Sequence, residues 1–193
     1  MPGEDTKEYD DAALNPGFRS GAKSENKRVL RERFKLLAKE FLVLHDEAAR
    51  AAMHRKIAQT LSNYAHQHLL ETREKPLKIA VYQPMKIELP AREIVSQADF
   101  WKSPNFLLPQ IDGQNMWFTD DTGAQVTPDV MIVPGLFVDP KGNRLGRGKG
   151  YYDRYLAAAQ IPLARRIFLG YEFQFIAEVP VTANDMPVTP LPS

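Results

Sequence analysis

From Asn26 to about Glu71, apolar residues return every three or four positions with charges between them. Val29, Leu30, Phe34, Leu37, Phe41 and Leu44 form one series. Ala49, Met53, Ile57, Leu61 and Tyr64 form a second over 46–70. That period predicts two helices, with Asp46 placed to cap the second. Pro76 ends the pattern, and a first strand is expected over 78–82. A short helix near Ala91 should follow, then strands over 105–108 and 116–119. The run DVMIVP over 129–134 is apolar after Asp129 and rich in β-branched residues, which suits a buried parallel strand. A helix over 150–159, a strand over 165–170 and a helical turn over 174–177 complete the series. Alternating helices and strands imply an α/β fold: one three-layer α/β/α domain on a mostly parallel sheet, Rossmann-like in architecture. Its extent is expected to be 26–193, after a polar extension over 1–25 that shows no sustained period.

Composition narrows the partners. Lys and Arg total 25 against 24 for Asp and Glu, a formal net charge of +1, so nothing draws the whole chain to nucleic acid or an anionic membrane. The absence of cysteine excludes disulfides and thiolate metal sites. No apolar run approaches the roughly 20 residues of a membrane span, and the first residues lack the apolar core of a secretion signal. A cytoplasmic, monomeric protein is the expectation. The four histidines, His45, His54, His66 and His68, fall on helical segments without metal-ligand geometry and read as surface or packing residues.

The chemistry concentrates in GNRLGRGKGYYDR over 142–154. Gly142, Gly146, Gly148 and Gly150 alternate with Arg144, Arg147 and Lys149. Glycine lets backbone N–H groups approach an anion, and the basic side chains add charge. YYDRYLAAA follows with helical character, so the loop should sit at a helix N-terminus, where free N–H groups and the helix dipole favour anions. The spacing is neither G-x-x-x-x-G-K-[ST] nor G-x-G-x-x-G, so a P-loop and a dinucleotide fingerprint are both excluded. On the residues alone, phosphate binding stands beside a flexible basic turn and an RNA-touching segment.

The run VPGLFVDPKGNRLGRGKGYYDRYL over 133–156 closely resembles the signature of the 5-formyltetrahydrofolate cyclo-ligase family, and the resemblance extends from Lys27 onward. Membership would imply conversion of 5-formyltetrahydrofolate and ATP to 5,10-methenyltetrahydrofolate, ADP and phosphate, with ATP as co-substrate and Mg2+ as cofactor. No nucleic acid or membrane would be involved. By this resemblance Lys27, Arg28, Val29, Leu30 and Arg31 match a segment lying against the nucleotide, and Arg144, Leu145, Gly146, Arg147, Gly148, Lys149, Gly150, Tyr151 and Tyr152 match its binding loop. The part from Arg147 through Tyr151 would be shared with the folate, joined by Gln83 and Glu88. Asp153 and Asp185 match magnesium ligands, and Lys149 and Arg147 would stabilise the transferring phosphate. Trp101 and Trp117 read as core residues or pocket walls, and Met85 as a pocket wall. The chain departs from the pattern in GLFVD and in VTPLPS, where relatives continue through a last strand.

Overall fold

The computed structural model describes residues 26–69, 76–101 and 103–192; the polar extension expected over 1–25 lies outside them. Helix α1 (Lys27–Leu44) starts at Asn26, whose side chain accepts from the backbone N–H groups of Arg28 and Val29 at 3.1 and 3.0 Å. Asp46 caps α2 (Glu47–His68) as the sequence suggests, accepting from the Ala49 N–H at 2.8 Å. Such caps satisfy donors that the first helical turn leaves free.

The remaining elements are β1 (Lys78–Ala80), α3 (Ala91–Gln97), β2 (Asn105–Asp112), β3 (Asn115–Thr119), β4 (Val130–Ile132), β5 (Phe137–Val138), β6 (Arg144–Leu145), α4 (Tyr151–Ala159), β7 (Arg166–Leu169) and β8 (Thr189–Leu191). Six strands form one sheet in the order β3-β2-β1-β4-β7-β8. Every neighbour pair is parallel except the β2–β3 hairpin. Ile57 and Leu61 of α2 and Ile94 of α3 pack with Ile79, Val130 and Ile132 in one core. Leu156 of α4 packs with Ala80, Leu107, Met131 and Phe168 in another. Because side chains of a strand alternate between faces, Ile79 and Ala80 serve opposite cores. The result is the three-layer α/β architecture expected.

Helix α1 touches the first core only through Phe41, and its buried residues serve a third cluster. Leu30, Phe34 and Ala38 pack on Leu136, Phe137 and Leu145 of the small antiparallel β5–β6 hairpin. Leu44, expected on the buried stripe, is largely exposed.

Several boundaries move. Strand β2 continues to Asp112 because β3 extends its ladder through Asp112↔Asn115. The helical turn expected over 174–177 is a 3-10 turn at Glu172–Gln174. VTPLPS, read as a departure from a last strand, itself supplies the edge strand β8, with Pro190 opposite Phe168. The β5–β6 hairpin went unanticipated, since two residues per strand carry no periodicity.

Its turn depends on Asp139, which is buried. Oδ1 accepts from the backbone N–H groups of Lys141 and Asn143, and Oδ2 from the Asn143 amide and the Val179 N–H, at 2.9 to 3.0 Å. A buried carboxylate is tolerable only with its lone pairs occupied in this way. Asp139→Ala strands these donors and is expected to cost about 3 kcal/mol, a fall in the thermal midpoint of about 6–12 °C. A midpoint within 2 °C of wild type, roughly the effect of under 1 kcal/mol, would show that the turn does not need this side chain.

Candidate functional site

Strand β1 lies between β2, which follows it in sequence, and β4, so the chain departs in opposite directions from the β1/β4 boundary. Ligands of open α/β sheets gather beyond the carboxyl ends of strands at such a switch point. A cleft of about 540 Å3 opens there, lined by Tyr82 and Gln83 after β1, Pro134 and Gly135 after β4, and the glycine loop running into α4.

The loop is built for close approach. Gly148 and Gly150 adopt φ of +98° and +68°, the left-handed region that other residues enter at a cost. Gly150 is the N-cap of α4 and has no side chain with which to cap it. From Arg147 through Tyr152 the backbone N–H groups have no hydrogen-bond partner among the described residues. A row of bare donors at a helix N-terminus suits an anion by geometry and by dipole.

The charges around it are largely paired with one another. Arg144 is 5% exposed; it donates to the Pro134 carbonyl at 3.1 Å and to Asp153 at 2.8 Å. Its buried Nε has no partner among the described residues. The Lys27 ammonium meets Asp185 at 2.5 Å, and Arg147 meets Glu88 at 2.5 Å while touching the Met85 sulfur. Arg31 donates to the Gly146 carbonyl at 3.1 Å. Lys149 is exposed, and its ammonium has no partner among the described residues.

Of the residues expected at the site, Lys27, Arg31, Gln83, Glu88, every position from Arg144 through Asp153, and Asp185 line this one cleft. Arg28, Val29 and Leu30 do not line it; Lys27 and Arg31, four apart, lie on the face of α1 turned to the cleft. Leu30 is buried beneath the hairpin. Met85 is exposed at the rim. Trp101 is in the core beside α3 and Trp117 is half-buried on β3, neither of them in the cleft. His45 is the C-cap of α1 rather than a helical residue, and His54 bonds the Tyr171 hydroxyl at 2.9 Å. Tyr82, Pro109, Ile111, Pro134 and Gly135 also line the cleft; as strand ends and hairpin positions they carry no motif.

Two phenols there, Tyr82 and Tyr152, are pushed well above the usual tyrosine range, first by burial, so both stay protonated donors at neutral pH. Among the described residues no group of three or more His, Asp or Glu side chains is placed to hold a metal. Asp153 and Asp185 nevertheless each use one oxygen, Oδ1 and Oδ2 respectively, for all their hydrogen bonds and leave the other without a partner among those residues. A wider groove of about 720 Å3 over α2 and α3 carries mixed charges, and none of the glycine-loop residues reach it.

Comparison with known proteins identifies relatives of this chain. A model of the 5-formyltetrahydrofolate cyclo-ligase family matches residues 117–191, which include the whole loop and Asp185. The 5-formyltetrahydrofolate cyclo-ligase of Mycoplasma genitalium is 33% identical over 112 residues, 55% of this chain and 66% of that protein. The mouse 5-formyltetrahydrofolate cyclo-ligase is 43% identical over 63 residues, 31% of each. The chain belongs to the 5-formyltetrahydrofolate cyclo-ligase family. It spans about one fifth to two thirds of the length of the curated relatives it matches. Solved 5,10-methenyltetrahydrofolate synthetases from Mycoplasma pneumoniae and Aquifex aeolicus share its fold, with TM-scores of 0.65 and 0.62 at 22% and 24% identity. Each covers 86% of this chain, and the chain covers 98% and 89% of theirs. Within this cyclo-ligase family member, Lys27, Gln83 and Glu88 lie outside the matched 117–191 segment; folding alone brings them to the loop.

Asp185 gives the cleft a pH signature. Burial favours its protonated form, but the hydrogen bonds from Lys27 and Thr182 and the Lys27 charge outweigh burial and hold the carboxyl below its ordinary 3.8. A folded-state pKa depressed in this way contributes stability that is complete above the unfolded value and lost as pH falls through the folded one. Urea denaturation should therefore show a constant stability gap between wild type and Asp185→Asn from about pH 8 to 5, closing below about pH 4. A gap that persists undiminished at about pH 2 would contradict the pairing.

Proposed function

We propose that this cleft converts 5-formyltetrahydrofolate to 5,10-methenyltetrahydrofolate with consumption of ATP and release of ADP and phosphate, as a magnesium-dependent cytoplasmic ligase acting as a single domain over 26–193. The N–H row from Arg147 through Tyr152 and the Lys149 ammonium, none of them with a partner among the described residues, carry this reading. They supply donors for a polyphosphate in the same cleft as Glu88 and Gln83, the residues assigned to the folate.

The chemical difficulty is the N5-formyl group, whose amide-like carbon resists attack and whose oxygen does not leave. Transfer of the terminal phosphoryl group to the formyl oxygen breaks its bond to ADP and forms a new P–O bond. N10 then attacks the formyl carbon, N10 loses its proton, and the C–O bond breaks with departure of phosphate. Such transfer needs position and charge rather than a covalent protein group, which suits a cleft of glycines, cations and carboxylates. In this reading Lys149 and Arg147 stabilise the transferring phosphoryl group, while Lys27, Arg31 and Arg144 hold the nucleotide with the loop backbone. The unpartnered Nε of buried Arg144 fits a nucleotide oxygen. Tyr151 and Tyr152 border the junction of the two substrates, with Tyr152 as a protonated donor. Glu88 and Gln83 orient the folate. The free oxygens of Asp153 and Asp185 fit Mg2+, which takes one or two carboxylates and completes its shell with water and phosphate oxygens; the ion would neutralise charge on the polyphosphate.

Incubation of the protein with 5-formyltetrahydrofolate, ATP and magnesium should produce methenyl-folate absorbance only when all three are present. Folded protein that yields none defeats the proposal. Lys149→Ala is expected to lower turnover by about 100- to 1000-fold, the usual scale for removing one transition-state charge contact, with an unchanged thermal midpoint. Near-normal turnover would remove Lys149 from the chemistry.

A further inference from the structure

Arg154 does not line the cleft, yet its guanidinium forks between two segments that do. Nη1 donates to the Lys149 carbonyl and Nη2 to the Gln114 carbonyl, each at 3.0 Å. The guanidinium carbon stands 5.3 Å from the centre of the Tyr151 ring, and a Cβ on Gly150 would come within 2.8 Å of Nη1. Tyr151 in turn donates its hydroxyl to the Gly113 carbonyl at 3.1 Å. The turn joining β2 to β3 is thus tied to the start of α4 at two adjacent carbonyls.

The first of these bonds bears on the anion site. Peptides here are trans, so the Lys149 carbonyl and the Gly150 N–H of one planar unit point in opposite directions. Gly150 at φ +68° has the freedom to let that unit rotate, and no other hydrogen bond among the described residues holds the Lys149 carbonyl. The second bond reaches the hairpin whose strand β2 carries Pro109 and Ile111 to the opposite wall of the cleft.

We propose that Arg154 is a positioning residue of the phosphate site. It pins the Lys149–Gly150 peptide so that its N–H stays in the anion-binding row, and it fixes the loop against the β2–β3 wall. This rests on the phosphate-binding half of the proposed function.

The test compares wild type, Arg154→Ala and Arg154→Lys by calorimetric titration with ATP and magnesium, by the KM of each substrate, and by thermal midpoint. Arg154→Ala should weaken ATP binding about tenfold, the scale of a lost charge-assisted hydrogen bond, and raise the KM for ATP in parallel. The KM for 5-formyltetrahydrofolate and the midpoint should stay at wild-type values. Arg154→Lys keeps the charge but cannot fork to two carbonyls, so it should still lose about fivefold; it carries the test should the alanine variant not fold. Wild-type ATP affinity in the variants overturns the proposal. So does a matched loss for both substrates with a lowered midpoint, the mark of a merely structural residue. A wild-type protein that does not bind ATP overturns the phosphate reading as well, an outcome distinct from equal binding by wild type and variants.

Discussion

A guanidinium taken out of water has to be paired, and the way Arg144 is paired assembles the cleft. Its two terminal nitrogens reach the end of β4 at Pro134 and the first turn of α4 at Asp153, while its backbone belongs to β6. Its stem and head occupy the space that side chains at 135 and 146 would need. A Cβ at Gly135 would meet Arg144 Cγ at 2.8 Å, and one at Gly146 would meet Nη1 at 2.9 Å. The Asp153 oxygen that takes Arg144 also accepts the Met186 N–H at 3.1 Å, which ties in the segment carrying Asp185. Strand end, hairpin, helix and C-terminal segment therefore meet around one buried charge. Removing either partner of such a pair strands the other, a cost of about 3–5 kcal/mol.

The other charges follow a similar economy. Lys27 with Asp185 and Arg147 with Glu88 join residues far apart in sequence, so three cations of the cleft are paired while Arg31 and Lys149 leave it net positive. An incoming anion would find Lys149 and the backbone donors ready, but would have to draw Arg147 away from Glu88. Anion binding at such a site would combine an exchange of partners at Arg147 with the attraction of the cations left unmatched by carboxylates.

The layered architecture could be read from the chain because its signals are long: two amphipathic helices, a strand whose residues 130–134 are all apolar, and a cap at Asp46. The glycine loop was equally legible, since bare N–H donors require residues that permit left-handed backbone and close approach. What stayed hidden depends on distance across the fold. Asp139 looks like an ordinary turn residue until Val179, forty positions away, donates to it. Tyr82 and Ile111 have no motif, because lining a cleft is a property of strand ends and hairpins rather than of residue spacing. Position on a helix also outweighs membership of a motif: within KRVLR, Lys27 and Arg31 face the cleft, whereas Leu30 serves the packing of α1 on the hairpin.

The strand formed within VTPLPS has a consequence of another kind. An open sheet exposes unpaired backbone groups along its outermost strand, where a second chain can add. Here that border is β8, a three-residue strand whose middle position, Pro190, has no N–H to give. A border so short and interrupted makes a poor template for strand addition, so the flank of the sheet beside β7 carries its own guard against association through that edge.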